Sequence, residues 1–262
     1  MTEPSHKIII TGTGRTGTTF LMQLLTELEL DTGYTRQTWS RDYYEHCAAG
    51  LERDIMAENA PYIVKNPNFC ETLPAFLATG RFVIDHVLVP VRDLDDAARS
   101  RIRIGGRDGV VPGGLLGTSD PAAQKAVLAE GFHRLMHTLA AHDIPHTLLH
   151  FPRLALDAEY TWAKLRFLAP NVGHDGFCET FRKISRPDLI HTFEASSAGQ
   201  DGEAAALFLR NEHRKRTRRR AKRMAAMAIL GVALLLACVY AYRGSARAAS
   251  APRPAPAVSG ER

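Results

Sequence analysis

Cysteine is scarce and its spacing carries no pairing pattern. The chain of 262 residues holds four, Cys47, Cys70, Cys178 and Cys238, with no C-x-x-C pair. The spacing favours free thiols in a reducing compartment and offers no zinc site. Internal repeats are absent. No secretory leader is expected, since MTEPSHKIII is too short and polar before its first apolar run, and the domain is expected to stay in the cytosol.

Positive charge is lacking where a nucleic-acid-binding face would need it. The formal charge is +5, yet the eight Lys/Arg of residues 214–223 and the net +3 after Tyr242 leave residues 1–213 at −6. The globular part is mildly acidic, which argues against nucleic acid as a partner. The basic balance belongs to the C-terminus. There, residues 224–242 (MAAMAILGVALLLACVYAY) contain neither charge nor proline. At the helical rise they span about 28 Å, close to a hydrocarbon core of ~30 Å. With RKRTRRRAKR before them and Tyr240 and Tyr242 at their far end, they read as a single membrane-spanning helix. The arginines would also gain from anionic lipid headgroups.

The expected organisation is a domain over 1–213, a basic juxtamembrane segment over 214–223, a transmembrane helix over 224–242 and a disordered tail over 243–262. The positive-inside rule keeps the domain on the cytoplasmic face, as a single-pass membrane protein with a C-terminal anchor, and a bacterial inner membrane fits. A long Ala-rich helix buried against the domain is the alternative.

Within the domain, β-branched runs at 7–11, 62–65, 86–91 and 146–151 predict strands. Residues 18–29 carry helical spacing, with Phe20, Leu21, Leu24, Leu25 and Leu28 as the apolar stripe. Further helices are predicted over 71–78, 94–102, 121–142 and 157–168. Strands alternating with helices predict an α/β fold, a parallel sheet covered by helices on both faces. Its ligand would sit at the carboxyl ends of the strands, where the loops after Thr11, Lys65 and Val91 converge. The glycine-rich stretch 105–117 reads as a mobile loop and a candidate lid.

The turn between the first strand and the first helix reads Gly12-Thr13-Gly14-Arg15-Thr16-Gly17-Thr18-Thr19. Glycines there let backbone N–H groups point inward, and the helix N-terminus adds partial positive charge, so the turn is a candidate anion cradle. The pattern G-x-x-x-x-G-K-[ST] nearly fits, but Thr18 stands where the lysine belongs. Without that lysine, ATP or GTP hydrolysis is disfavoured. A cation stands inside the loop instead, as Arg15.

KIIITGTGRTGTTFLMQLL resembles the 5′-phosphosulfate loop of sulfotransferases, in the Arg-[Ser/Thr]-Gly-Thr-Thr form of bacterial and tyrosylprotein-type members. The resemblance implies a P-loop NTPase-like fold and 3′-phosphoadenylyl sulfate (PAPS) as co-substrate, held at its 5′ end by Arg15, Gly17, Thr18 and Thr19. HVLVPVRDLDDAARSRI resembles the family's 3′-phosphate motif, a strand ending in Arg followed by Ser eight residues on. Arg92 and Ser100 take those positions, Arg92 able to bind phosphate in bidentate fashion. Without the resemblance, Arg92 would pair with Asp93 or Asp96 and Ser100 would face solvent. YIVKNP resembles the Lys-Asp-Pro or Lys-Thr-His stretch after a central strand, which sets Lys65 at the sulfate or leaving phosphate rather than in solvent. Pro67 replaces the histidine of cytosolic members, and Asn66 the aspartate of the tyrosylprotein type.

The resemblance therefore leaves the base open. Glu45 and His46 follow the first helix, where some members carry an acidic base; His86, at the start of the third strand, reads as structural. No metal is required. Arg99, Arg101, Arg103 and Arg107 form either a solvated basic edge or a guide for bisphosphate or an anionic acceptor. Trp39, Tyr43 and Tyr44 are either core or a stacking surface for sugar. The expected activity is sulfuryl transfer to a hydroxyl (or amine) acceptor, a carbohydrate or lipid-linked glycan among them. Two rivals stand beside it: a P-loop kinase with Asp93 as the Mg²⁺ ligand, and a non-catalytic membrane-tethered nucleotide-binding module.

Overall fold

Three consecutive isoleucines, Ile8–Ile10, decide the layering. In the computed structural model, which describes residues 3–105 and 113–190, they lie in the central strand of a four-stranded parallel sheet. The elements run β1 (Ser5–Ile10), α1 (Thr18–Glu27), β2 (Tyr43–Tyr44), β3 (Ala49–Gly50), β4 (Ile63–Lys65), α2 (Phe69–Ala78), β5 (Phe82–Val91) and α3 (Leu94–Ile104). They continue with α4 (Gln124–Ala141), β6 (His146–His150), α5 (Arg153–Leu156), α6 (Ala158–Leu165) and α7 (His174–Ile184).

The sheet order is β4-β1-β5-β6, and β2 and β3 form a separate antiparallel hairpin. Ile9 pairs in register with Val64 on one side and Val87 on the other, and Val89 opposite Leu148 extends the pattern into β6. Because side chains alternate along a strand, the isoleucines feed two cores. Ile8 and Ile10 join Leu88 and Leu149 under Leu21, Leu24 and Leu25 of α1 and Phe177 and Phe181 of α7. Ile9, Val64, Val87 and Val89 pack the opposite face against Phe69 and Leu73 of α2 and Leu135 and Leu139 of α4. Each such aliphatic contributes about 1.5–3 kcal/mol by leaving water. The expected α/β sheet with helices on both faces is what forms.

All four predicted strands are present. Helix α7 was not expected, although Phe177, Cys178, Phe181 and Ile184 recur at helical spacing and the first three are buried. The described residues belong to one unit, Met1–Glu194. Among them no helix is long and apolar enough to cross a membrane. The predicted basic segment 214–223, span 224–242 and tail 243–262 lie outside the described residues, as do Arg107 and most of the predicted lid.

From β1 the chain crosses to β4 on one side, whereas β5 leads to β6 on the other. The crossovers diverge between β1 and β5, and such a divergence opens a crevice at the carboxyl ends of the strands. The Thr11–Gly17 turn leaves β1 into that crevice, and Arg92 follows the last residue of β5.

Candidate active site

The turn is held open by backbone conformation. Gly14, Arg15 and Gly17 have φ of 68°, 56° and 88°, all in the left-handed region. At Gly17 a side chain would also collide, since a Cβ would lie 2.9 Å from the Phe151 ring. Gly17 caps α1 without any side-chain hydrogen bond, and the first turn of α1 carries no acid. Its N–H groups and partial positive charge therefore stay available to an anion. The Thr16 hydroxyl is buried with no partner among the described residues.

Arg15 turns its side chain toward α3. Its Nε donates to Ser100 Oγ at 3.0 Å, and another guanidinium N–H donates to the carbonyl of Cys47. Arg92 donates in turn to the backbone carbonyl of Arg15 at 3.0 Å and lies 5.1 Å from the Phe151 ring centroid. The first strand's turn and the residues after β5 thus close on each other. Arg92 does reach toward Asp96, at 3.9 Å, but Ser100 is buried and does not face solvent.

Arg101 supports the turn from beneath. It is buried, and its Nε and one terminal nitrogen donate to the Thr13 carbonyl at 3.1 and 3.0 Å, while the other terminal nitrogen reaches the Gly114 carbonyl. Of the predicted arginine cluster, Arg99 and Arg103 are exposed, whereas Arg101 is not. Arg101 follows Ala97 and Ala98 on the inward face of α3; that spacing was the available signal.

Lys65, the last residue of β4, is 1% exposed rather than solvated. Its Nζ donates to Thr19 Oγ1 at 3.0 Å, to Glu52 Oε1 at 2.6 Å and to the Gly50 carbonyl. Burial lowers the Lys65 ammonium from the ordinary lysine range, and Glu52 opposes that shift. Arg15 and Arg92 are likewise lowered, first by burial; Arg92 and Arg103 press Arg15 further down. Burying three cations together is costly, and a bound anion relieves the cost.

These groups line a cavity of about 540 Å³, the size of a small-molecule site. Gly14, Arg15, Gly17, Thr18, Thr19, Lys65, Arg92 and Ser100 are in its wall. Six cationic side chains (with Arg101, Lys183 and Arg186) face two acidic ones, Glu27 and Glu52. Gly12 and Thr16 shape the turn from behind the wall. Trp39 and Tyr43 also line the cavity, and Trp39 Nε1 donates to Glu27 Oε1 at 2.9 Å. Tyr44 is exposed and outside the lining.

The base candidates fare differently. Glu45 is exposed and not in the cavity wall, because the turn Glu45–Cys47, ended by left-handed Ala48, aims Cys47 inward instead. The side chain of His46 lies outside the described residues. His86 is structural, its Nε2 2.8 Å from Thr147 Oγ1 and its ring beside Phe167. Of the two acids in the cavity wall, the one that contacts Lys65 is Glu52, missed because nothing local marks it. Only the hairpin β2–β3 brings it to Lys65.

The fold and site thus define an α/β protein with a cationic, nucleotide-sized cavity at a strand-to-helix turn. No family model and none of the curated proteins matches the chain. Among solved structures it is similar to a sulfotransferase domain from the curacin biosynthetic pathway, at 14% identity and a TM-score of 0.42, over 74% of this chain and 82% of that one. At that score the likeness carries no argument of its own.

Proposed function

We propose that the chain is a sulfotransferase, moving the sulfuryl group of PAPS to a hydroxyl or amine acceptor. One observation carries the reading: the Arg15–Ser100 hydrogen bond, 3.0 Å, joins the residues that resemble the 5′-phosphosulfate loop and the 3′-phosphate motif. The donor set fits such a ligand. The uncapped start of α1 with Arg15, Thr18 and Thr19 would hold the 5′ end, and Arg92 with Ser100 the 3′-phosphate.

Arg15, Lys65 and the turn amides stabilise the negative charge that grows on the leaving phosphate as its bond to sulfur breaks. They do so at fixed positions, so little reorganisation is needed. Glu52, whose side chain is 39% exposed, lies in the cavity wall beside Lys65 and takes the acceptor's proton. The acceptor end is the wall of Trp39, Tyr43, Glu27 and Lys183, whose aromatic and charged groups suit a carbohydrate or lipid-linked glycan. The kinase reading loses support, since Asp93 lies outside the cavity wall and its Oδ1 accepts from the Asp96 N–H at 3.0 Å to cap α3.

The test is calorimetric titration of the full chain with adenosine 3′,5′-bisphosphate, beside ATP–Mg²⁺ and an Arg92→Ala variant. Saturable bisphosphate binding that the variant loses supports the reading; binding of ATP–Mg²⁺ alone sinks it. Transfer of label from PAPS to an acceptor panel then separates an enzyme from a tethered binding module. The proposed setting is the cytoplasmic face of a membrane, held by residues 224–242. Resistance to alkaline carbonate extraction, lost on deleting 214–262, checks it.

A further inference from the structure

The second chemically dense cluster of the molecule has no part in the cavity. It lies where α6 meets α7. Glu159 opens α6, His174 opens α7 and Cys178 follows one turn later, so His174 and Cys178 share a helix face. One ligand atom from each lies within 4.8 Å of the others.

The arrangement of those atoms is informative. Both Glu159 oxygens face His174 Nε2, at 2.9 and 2.8 Å, and Cys178 Sγ lies 3.6 Å from that same nitrogen. Cys178 Sγ is 3.9 Å from Glu159 Oε1. Glu159 and Cys178 thus converge on one ring nitrogen, as donors sharing a cation would. The other nitrogen, Nδ1, faces Asp175 Oδ1 at 3.2 Å. A metal-bound histidine is oriented in this way, its remaining N–H given to a carboxylate.

We propose that Glu159, His174 and Cys178 form a zinc site that joins α6 to α7. Zinc takes mixed N, O and S donors in a tetrahedron, with bonds of about 2.0–2.3 Å and hence donor separations of roughly 3.3–3.5 Å. The separations here, 2.8, 3.6 and 3.9 Å, lie near that range. Glu159 and His174 are exposed whereas Cys178 is buried, so the fourth position opens to water. Trp162, 5.8 Å from the His174 ring and 5.2 Å from Phe177, shields the inner side. Binding displaces the thiol proton of Cys178 and any proton on His174 Nε2 to solvent. The sequence offers no sign of the site, because its third ligand comes from another helix.

The site is independent of sulfuryl transfer, but α7 ends in Lys183 and Ile184, which line the cavity. Pinning α7 to α6 therefore steadies one wall of it.

The test uses the metal-free full chain, titrated with Zn²⁺ against a chromogenic chelator and, separately, with Co²⁺. One zinc per chain is expected, with a thiolate-to-cobalt charge-transfer band that disappears in Cys178→Ser and persists in Cys238→Ser. Glu159→Gln and His174→Ala should abolish stoichiometric binding, and Asp175→Asn should weaken it about 10- to 100-fold. A circular dichroism melt of each variant separates lost ligation from lost fold. Zinc binding unchanged in Cys178→Ser, or no binding by a folded wild-type chain, overturns the proposal.

Discussion

Arg15 Nε and Ser100 Oγ, 85 residues apart in the chain, lie 3.0 Å apart. The bond fixes a half-buried guanidinium on a residue with left-handed backbone. Ser100→Ala should free that side chain and weaken bisphosphate binding about tenfold, as expected for a hydrogen bond to a charged group. Arg92→Lys should cost at least as much, because an ammonium cannot reproduce the two-pronged geometry. Calorimetric titration of both variants decides it; affinities equal to wild type would detach these residues from the nucleotide.

Lys65 and Glu52 divide catalysis from stability. Lys65→Met leaves Glu52 partly solvated, so stability should change little while kcat falls about 100-fold. Glu52→Gln strands a buried ammonium and should cost about 1–2 kcal/mol, the exposure of Glu52 moderating the loss. The pH dependence has a definite sign. Burial holds the Lys65 value below the ordinary lysine range, so between the two values the unfolded chain binds more protons and stability rises with pH. Removing Glu52, which raises that value, should extend the window toward neutrality. Urea midpoints across pH that coincide for wild type and Glu52→Gln would contradict this.

Gly17→Ala combines strain with collision. At φ 88° the new Cβ would meet Phe151 at 2.9 Å and Leu154 at 3.3 Å. Gly80→Ala is the control, with φ 65° and nothing within 4 Å. Strain alone should cost Gly80→Ala about 1 kcal/mol, and Gly17→Ala roughly 2–4 kcal/mol. Equal losses in urea unfolding would show that the contact with Phe151 is soft.

Arg101→Lys should loosen the turn without touching its sequence. Two donors to the Thr13 carbonyl become at most one, costing about 2 kcal/mol and reducing bisphosphate affinity in parallel. A stability loss with unchanged affinity would confine Arg101 to a structural role.

The sequence alone determined the sheet and the turn. Three isoleucines before a glycine turn, then Leu21, Leu24, Leu25 and Leu28 at helical spacing, read directly as a buried strand feeding a helix, because both signals lie within single elements. Arg15, Arg92, Ser100 and Lys65 were legible through short motifs, each a few residues long. The tertiary structure decided what those motifs do to one another. Glu52 reaches Lys65 through a short hairpin with strands of two residues each, and Arg101 parts from Arg99 and Arg103 by facing inward. Glu159 meets His174 and Cys178 only where two helices dock. Periodicity reports which face of an element is buried; which residues of different elements meet is set by packing, and packing involves the whole chain.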